Sequence, residues 1–239
     1  MTEPLFREDA YLASCDATVT AVTPEGGIVL DRTVFYPTGG GQPGDGGVIR
    51  AGDRAIPVQT AVKGEAGAIV HIPAKAAPAP EIGETVVAEI DAARRDVYRR
   101  VHTCLHLLSV VIPLPVTGGQ ISDGKGRLDF DMPDAPEDKG AIEERLNALI
   151  SRDLTVSEEW ISDAELEANP NLVKTLRVKP PMGAGRVRLV RIGDGAETVD
   201  LQPCGGTHVR RTGEIGRVRI GKVEKKGKQN RRVYVHLEE

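Results

Sequence analysis

The sequence predicts a mixed α+β protein. Three observations carry that expectation. The first third of the chain reads as short strands broken by turns; a strong helical stripe begins near Asp91; and helices and strands then alternate without a repeat. The 27 glycines and 16 prolines among 239 residues supply the turns. Hydrophobic residues make up 40% of the chain, enough for a packed core, but aromatics are only 3%, so that core must be built from Val, Ile, Leu and Ala.

In the first part, residues 17–22, 27–30, 47–49, 56–62, 68–71 and 85–90 are alternating or apolar runs. Gly, Pro and Asp separate them at intervals typical of a small barrel or sandwich. AKAAPAP at residues 74–80 reads as an exposed loop. The character changes near residue 91, the expected domain boundary. DAARRDVYRRVHTCLHLLSVVI is the best helix in the chain. Asp91 or Asp96 caps its start, Pro113 ends it, and Val97, Val101, Leu105, Leu108 and Ile112 form its apolar stripe. A second helix is expected over 136–152, with Ile142, Leu146, Leu149 and Ile150 as its stripe, and a third, short one over 163–167. Strands are expected at 127–130, 155–161, 187–192, 216–223 and 232–237.

The formal net charge of −4 argues against a polybasic protein. From Gly205 onward, however, ten Lys/Arg stand against four Glu, a local excess of six. Such a patch either meets phosphate or is a solvated sheet surface. Three cysteines, Cys15, Cys104 and Cys204, do not suggest a disulfide framework. The first residues resemble no signal peptide, and no run of about 18 apolar residues exists. The expectation is a cytoplasmic protein without a membrane partner.

Two motifs carry chemistry. His102 and His106 are four apart on the expected helix, an advance of about 400°, so both imidazoles share one face. A zincin would need a Glu after the first His, and Thr103 stands there instead. In QPCGGTH at residues 202–208, Cys204 and His208 are also four apart, but the glycines favour a tight loop. Together the four make a His3Cys set suited to tetrahedral zinc. Each pair alone is more often incidental than metal-binding. Four protein donors would ordinarily mean a closed, structural site. Cys104 lies between the helical histidines and turns away toward the core. Cys15 has no ligand type nearby, and His71 and His236 read as ordinary strand residues.

RVHTCLHLL at residues 100–108 and QPCGGTHV at 202–209 resemble the paired zinc motifs of the alanyl-tRNA editing domain. That domain occurs within alanyl-tRNA synthetases and as free-standing AlaX proteins. FYPTGGGQPGDGG at residues 35–47 and TGGQISDGKGRLDFD at 117–131 extend the resemblance over the whole chain, in the family's order, toward the longer AlaX form. The resemblance implies an N-terminal β-barrel-like domain over residues 1–91. An α+β editing domain with an antiparallel sheet then follows over 92–239. It implies that one Zn2+ is held by His102, His106, Cys204 and His208. It also implies a tRNA partner, the acceptor stem of alanine tRNA mischarged with serine or glycine, with no DNA or obligate protein partner. Nothing resembles the ATP-binding aminoacylation domain of a synthetase, so ligation is not expected.

Within this reading Thr103, Gln120 and Thr207 are the polar groups expected near the scissile ester, and Gln120 matches a family position close to the aminoacyl group. Backbone N–H groups of Gly205 and Gly206 are candidate oxyanion donors. Arg127 and Asp129 read as a structural pair. Gly39, Gly40, Gly41 and Gln42 formally satisfy a dinucleotide fingerprint, but turn and strand follow rather than a helix. They read as a loop with several positive φ angles, taken here as contributing to tRNA selection. Lys222, Lys225, Lys226, Lys228, Arg231 and Arg232, around a hairpin turn at Gly227, are candidate contacts to the tRNA backbone. Two other functions fit the same residues: a non-catalytic zinc-stabilised tRNA-binding module, and a zinc hydrolase of small esters or amides.

Overall fold

The computed structural model describes residues 1–75, 79–136, 138–175 and 185–238. The expected loop at 74–80 thus falls partly outside the described residues. The chain divides into two units, Met1–Asp96 and Val97–Glu239.

The first unit contains β1 (Glu3–Pro4), β2 (Ser14–Val22), β3 (Ile28–Leu30), β4 (Arg32–Thr33), β5 (Gly47–Ala51), β6 (Arg54–Lys63), β7 (Ile69–Pro73) and β8 (Thr85–Ile90). Six of them close into a barrel in the order β2-β3-β7-β6-β5-β8. Alternation drives closure: in β8 Val86, Ala88 and Ile90 are buried while Thr85, Val87 and Glu89 face out. Register shifts between Val19 and Ala21 and between Val58 and Thr60 bend the strands. Ile28, Leu30, Phe35, Ile49 and their neighbours fill the interior. His71 is completely buried there. Its Nδ1 donates to the Ile28 carbonyl at 2.9 Å, and its Nε2 pairs with Thr33 Oγ1 at 2.8 Å. Burial pushes its pKa down to about 4, so it sits neutral with both ring nitrogens used.

The glycine-rich segment is a fixed loop that leads into β5. Gly39 and Gln42 exchange backbone hydrogen bonds of 3.1 and 2.9 Å across a two-residue turn. Gly40 and Gly41 adopt φ of +59° and +84°, which other residues rarely adopt. Asp45 anchors the loop from below. It accepts from the Tyr36 amide at 2.6 Å and from the Arg95 guanidinium, and both side chains of that ion pair are 1% exposed. Arg95 also donates to the carbonyls of Ala10 and Val34, so the buried charge is well bonded.

The second unit begins within α1 (Ala92–Val111), whose first turn is capped by Asp91 Oδ1 accepting from the Arg94 amide. The expected stripe is inside, and so are Tyr98, Cys104, Leu107 and Val111, so α1 is buried nearly all round. It shares one core with β9 (Val116–Ser122), β10 (Lys125–Asp131), β14 (Val218–Lys225) and β15 (Asn230–Leu237). These form an antiparallel sheet in the order β14-β15-β10-β9. α2 (Lys139–Ser151) starts later than expected because Asp138 caps it, accepting from the Ala141 amide. β11 (Val156–Ser162), β12 (Arg186–Ile192) and β13 (Asp200–Pro203) make a second antiparallel sheet, with α3 (Asp163–Ala168) opening on a Ser162/Glu165 capping box. Among the described residues, no helix is long and apolar enough to cross a membrane.

Four strands escaped the sequence reading: the two-residue pair β1 and β4, which is too short to signal itself, and β9 and β13. β9 is written VTGGQIS, with glycines where a strand signal would stand, and it is held by its ladder to β10. β13 is only four residues long and has a proline at its end.

Candidate metal centre

His102 and His106 project from one face of α1, as their spacing requires, and the loop after β13 brings Cys204 and His208 to them. One donor atom from each of the four lies within 4.8 Å of every other. The Cys204 sulfur is 3.5 Å from His102 Nε2 and 3.2 Å from His208 Nε2. Zinc bonds of about 2.3 Å to sulfur and 2.0–2.1 Å to nitrogen, arranged tetrahedrally, imply edges of about 3.5 Å. The donor set and these two sulfur–nitrogen distances fit a tetrahedral zinc site.

The surrounding hydrogen bonds fix the orientation of the imidazoles around the cluster. Thr103 Oγ1 donates to the Arg99 carbonyl at 2.9 Å, so it accepts from His208 Nδ1 at 3.2 Å and from the Val209 amide. This leaves the His208 Nε2 lone pair facing the cysteine. His106 Nδ1 donates to Asp200 Oδ2 at 2.8 Å, which turns its Nε2 inward. Asp200 is held in turn by Lys174 and, at 2.8 Å, by Gln202. Such partners fix the tautomer and orientation of ligating imidazoles.

Burial opposes ionisation of Cys204, but the His102 and His208 rings outweigh it and hold the thiol well below its usual range. Burial, reinforced by the neighbouring His102 ring, pushes His208 down to about 3. His106 differs: burial works to lower it, but Asp200 and Cys204 hold it at about 9. Metal binding at this cluster would therefore release a proton from His106. Asp200 is kept near 2 against the cost of burial by His106 and Lys174. Cys104 is wholly buried in the core, with its thiol pushed up to about 12 by desolvation, and is not in the cluster.

The structure redistributes the other candidates. Thr103 is fully buried behind His208, and its hydroxyl donates to a backbone carbonyl. Thr207 is also fully buried. The Gly206 amide points at the Cys204 sulfur at 3.5 Å, which removes it from the oxyanion donors. Gly205 has open space around it. Gln120 is exposed on β9, opposite the buried Ile121, and its Oε1 accepts from Arg127 at 3.0 Å. Arg127 does pair with Asp129, which also binds Arg232 at 2.8 Å.

Arg231 requires a correction as a phosphate contact. It is 8% exposed and donates to the carbonyls of Gly227, Asn230 and Pro133, so its charge faces the protein. Arg232 is similarly committed to Asp129. Lys222 and Lys226 both pair with Glu224, at 2.8 and 3.2 Å, which halves their local charge. Lys225 and Lys228 are exposed at the hairpin turn. In the barrel loop Gly40 and Gly41 are exposed and Gly39 half-buried, but Gln42 is 1% exposed and faces inward.

Three supporting residues were not singled out from sequence: Asp200, Lys174 and Arg188. Arg188 donates to the carbonyls of Cys204 and Gly206, both at 2.9 Å, and pairs with Glu158. It clamps the loop that presents the cysteine. Asp200, Gln202 and Cys204 alternate along one strand and share a face. That signal could have found Asp200 had β13 been recognised.

Residues 187–234, which include Cys204 and His208, match the family model described as the threonyl and alanyl tRNA synthetase second additional domain. Residues 12–94, the barrel, match that of class II (A) tRNA synthetases. An alanine–tRNA ligase of Pyrobaculum calidifontis is 37% identical over 94% of this chain, but over only 25% of the ligase. Two alanyl-tRNA editing proteins named AlaX-M are similar from end to end. That of Methanosarcina acetivorans is 36% identical over 247 residues, and that of Methanosarcina barkeri 37% over 245, each spanning 99% of both chains. Similarity of this extent, across barrel and metal-centre unit alike, means that the chain belongs to the AlaX-M family of alanyl-tRNA editing proteins.

Proposed function

We propose that the protein is a free-standing, zinc-dependent aminoacyl-tRNA deacylase that hydrolyses the ester of alanine tRNA mischarged with serine, with glycine as a second candidate. The observation that carries this reading is the His102, His106, Cys204 and His208 cluster, whose donor atoms converge within 4.8 Å. The names of the full-length relatives support the editing role. In this reading residues 1–91 form the barrel domain and 92–239 the editing domain, acting in the cytoplasm.

A bound zinc ion would supply positive charge beside the aminoacyl group, and four protein donors would complete its tetrahedral shell. The chain's own groups must then position the attacking water. Gly205 contributes no hydrogen bond among the described residues, so its N–H is the remaining oxyanion donor of the loop. Arg127 holds the Gln120 carbonyl oxygen, so the Gln120 amide offers donors to a substrate. Discrimination follows from the extra hydroxyl of serine. A site that must hydrogen-bond that hydroxyl rejects alanine strongly, whereas an apolar synthetase pocket cannot exclude serine well. Lys225 and Lys228, with Lys222 and Lys226 as weaker contributors, are the side chains we assign to the acceptor-stem backbone, and Gly39, Gly40 and Gly41 form the exposed backbone assigned to tRNA selection.

The test is deacylation of seryl- and alanyl-tRNA for alanine, with free amino-acid esters as controls. Rapid loss of serine with alanine spared is expected, and no charging should occur with ATP and alanine. Equal rates on both tRNAs would overturn the editing role, and activity on free esters alone would make the protein a small-ester hydrolase.

A further inference from the structure

Trp160 is the only tryptophan in the chain, and it is 41% exposed. An isolated exposed aromatic is ordinary, so its position is what matters. In the β11-β12 ladder Trp160 stands opposite Arg188. In the β12-β13 ladder the register of Leu189 with Pro203 continues to Arg188 opposite Cys204, whose amide donates to the Arg188 carbonyl at 3.2 Å. Residues opposite one another in an antiparallel ladder share a face. Trp160, Arg188 and Cys204 therefore form one row across the sheet, on the face that also carries Gln202 and Asp200, the partners of His106. Two strand spacings separate Trp160 from the metal-ligating cysteine, about 10 Å.

Arg186 lies on the same face, two residues along β12 from Arg188. Its guanidinium carbon is 4.4 Å from the centre of the indole. Arg186 is exposed and makes no ion pair among the described residues. The guanidinium thus lies over the ring in a cation–π contact. An exposed indole paired with a cation suits single-stranded nucleic acid, where an aromatic ring stacks on a base and a cation meets a phosphate. Neither the barrel nor the basic hairpin carries an exposed aromatic among the described residues. Among the described residues, the other exposed large apolar side chains are Met1, Leu12, Ile82, Val87 and Leu114, and they are not aromatic.

We propose that Trp160 and Arg186 form a docking platform for a nucleobase and its phosphate in the single-stranded 3′ end of the tRNA. The proposal rests on the editing reading, which places the aminoacyl ester at the metal cluster. A nucleotide whose ester lies beside Cys204 then reaches the indole with its own base or with the next one along the strand. The platform draws binding energy from a part of the substrate that does not react, so it governs capture more than chemistry.

Because Trp160 is the sole tryptophan, its fluorescence reports contact directly. The zinc-loaded full-length protein is titrated with uncharged alanine tRNA and with the same tRNA lacking its single-stranded 3′ nucleotides. Saturable quenching by the intact RNA, absent with the trimmed one, is expected. Trp160→Ala should raise KM for mischarged tRNA about 5- to 100-fold with kcat little changed, the range that stacking on one base supports. Trp160→Phe should remain within about threefold of wild type, since it keeps a stacking face. Zinc content of both variants should match wild type, which separates the platform from the fold. Unchanged fluorescence with intact tRNA, equal quenching by both RNAs, or a wild-type KM in Trp160→Ala overturns the platform. A wild-type protein that hydrolyses no mischarged tRNA would sink the editing reading instead. The titration needs only uncharged RNA, so it still decides the platform in that case.

Discussion

A methyl group added at Gly44 in the barrel would stand 2.1 Å from the Ala61 carbonyl oxygen. One added at Gly205, beside Cys204, would meet nothing within 4 Å, and Gly205 has no left-handed φ. The two glycine-rich loops look alike in sequence and obey different physics. In the barrel loop the fold itself demands glycine: a two-residue turn at Gly40 and Gly41, close backbone passage at Gly44, and the buried Asp45–Arg95 pair underneath. In the loop at the metal cluster the fold demands little of Gly205. Cys204 and His208 are held there by Arg188, Thr103 and the His102 ring. One loop is shaped by packing, and the other keeps space free.

The largest effect that separates the loops concerns metal. Cys204→Ala removes the only thiolate of the cluster, and bound zinc per chain should fall from one toward zero. Apparent zinc affinities at structural sites of this kind are about 10–16 kcal/mol, so loss of one ligand is felt strongly. Cys104→Ala should keep full metal, because that thiol is buried among core side chains outside the cluster. Metal analysis of the two variants distinguishes them directly. Full occupancy in Cys204→Ala would dissolve the distinction between the loops.

In the barrel the corresponding blow is to Asp45. Asp45→Ala leaves the buried Arg95 guanidinium without its counter-charge, which should cost roughly 3–5 kcal/mol. Gly44→Ala forces the backbone apart at Ala61 and should cost about 1–3 kcal/mol or more. Urea unfolding midpoints measure both, and zinc content should be unaffected. A barrel that tolerates both changes would mean that its glycines are not there for packing.

His71 gives the barrel a pH signature. Its folded pKa is about 4, against an ordinary value of 6.5. As pH falls the unfolded chain therefore binds the proton first. Stability contributed by the neutral, buried ring is full above about pH 6.5 and is lost on the way down to about pH 4. The gap amounts to about 3 kcal/mol. His71→Gln should flatten that part of the stability profile. The difference between variant and wild type isolates the barrel from acid release of metal at the cluster. Parallel profiles would show that His71 does not carry the dependence.

What the sequence made legible follows the same division. Period-2 alternation found the six barrel strands to within a few residues, and the 3.6-residue stripe found α1, because both patterns record burial against a continuous core. The His102/His106 and Cys204/His208 pairs, which the fold brings together, were visible because a helix and a tight loop each fix a spacing of four. Asp200 and Lys174 were not visible, because they approach His106 only after β13 takes its place in a sheet, and β13 is too short to signal itself. The role of Asp45 was hidden for a related reason: its partner, Arg95, is 50 residues away. Arg231 misled because a cluster of basic residues says nothing about which guanidinium turns inward to carbonyls.

The smallest effect on stability sharpens the comparison most. Gly205→Ala should change the unfolding free energy by no more than about 0.5 kcal/mol, the usual range for a substitution that meets no neighbour. Zinc content should stay at the wild-type level, since no ligand is touched. If the open space beside Cys204 receives the aminoacyl group, the added methyl occupies it. Hydrolysis of seryl-tRNA should then fall about tenfold or more in kcat/KM, a loss of at least about 1.4 kcal/mol in transition-state stabilisation. Free-energy cost and catalytic cost would thus part company at this glycine, whereas at Gly44 the cost falls on stability. A Gly205→Ala protein as destabilised as Gly44→Ala would mean that the second loop also needs its glycine for folding. One that is stable and fully active would mean that the substrate does not use this space.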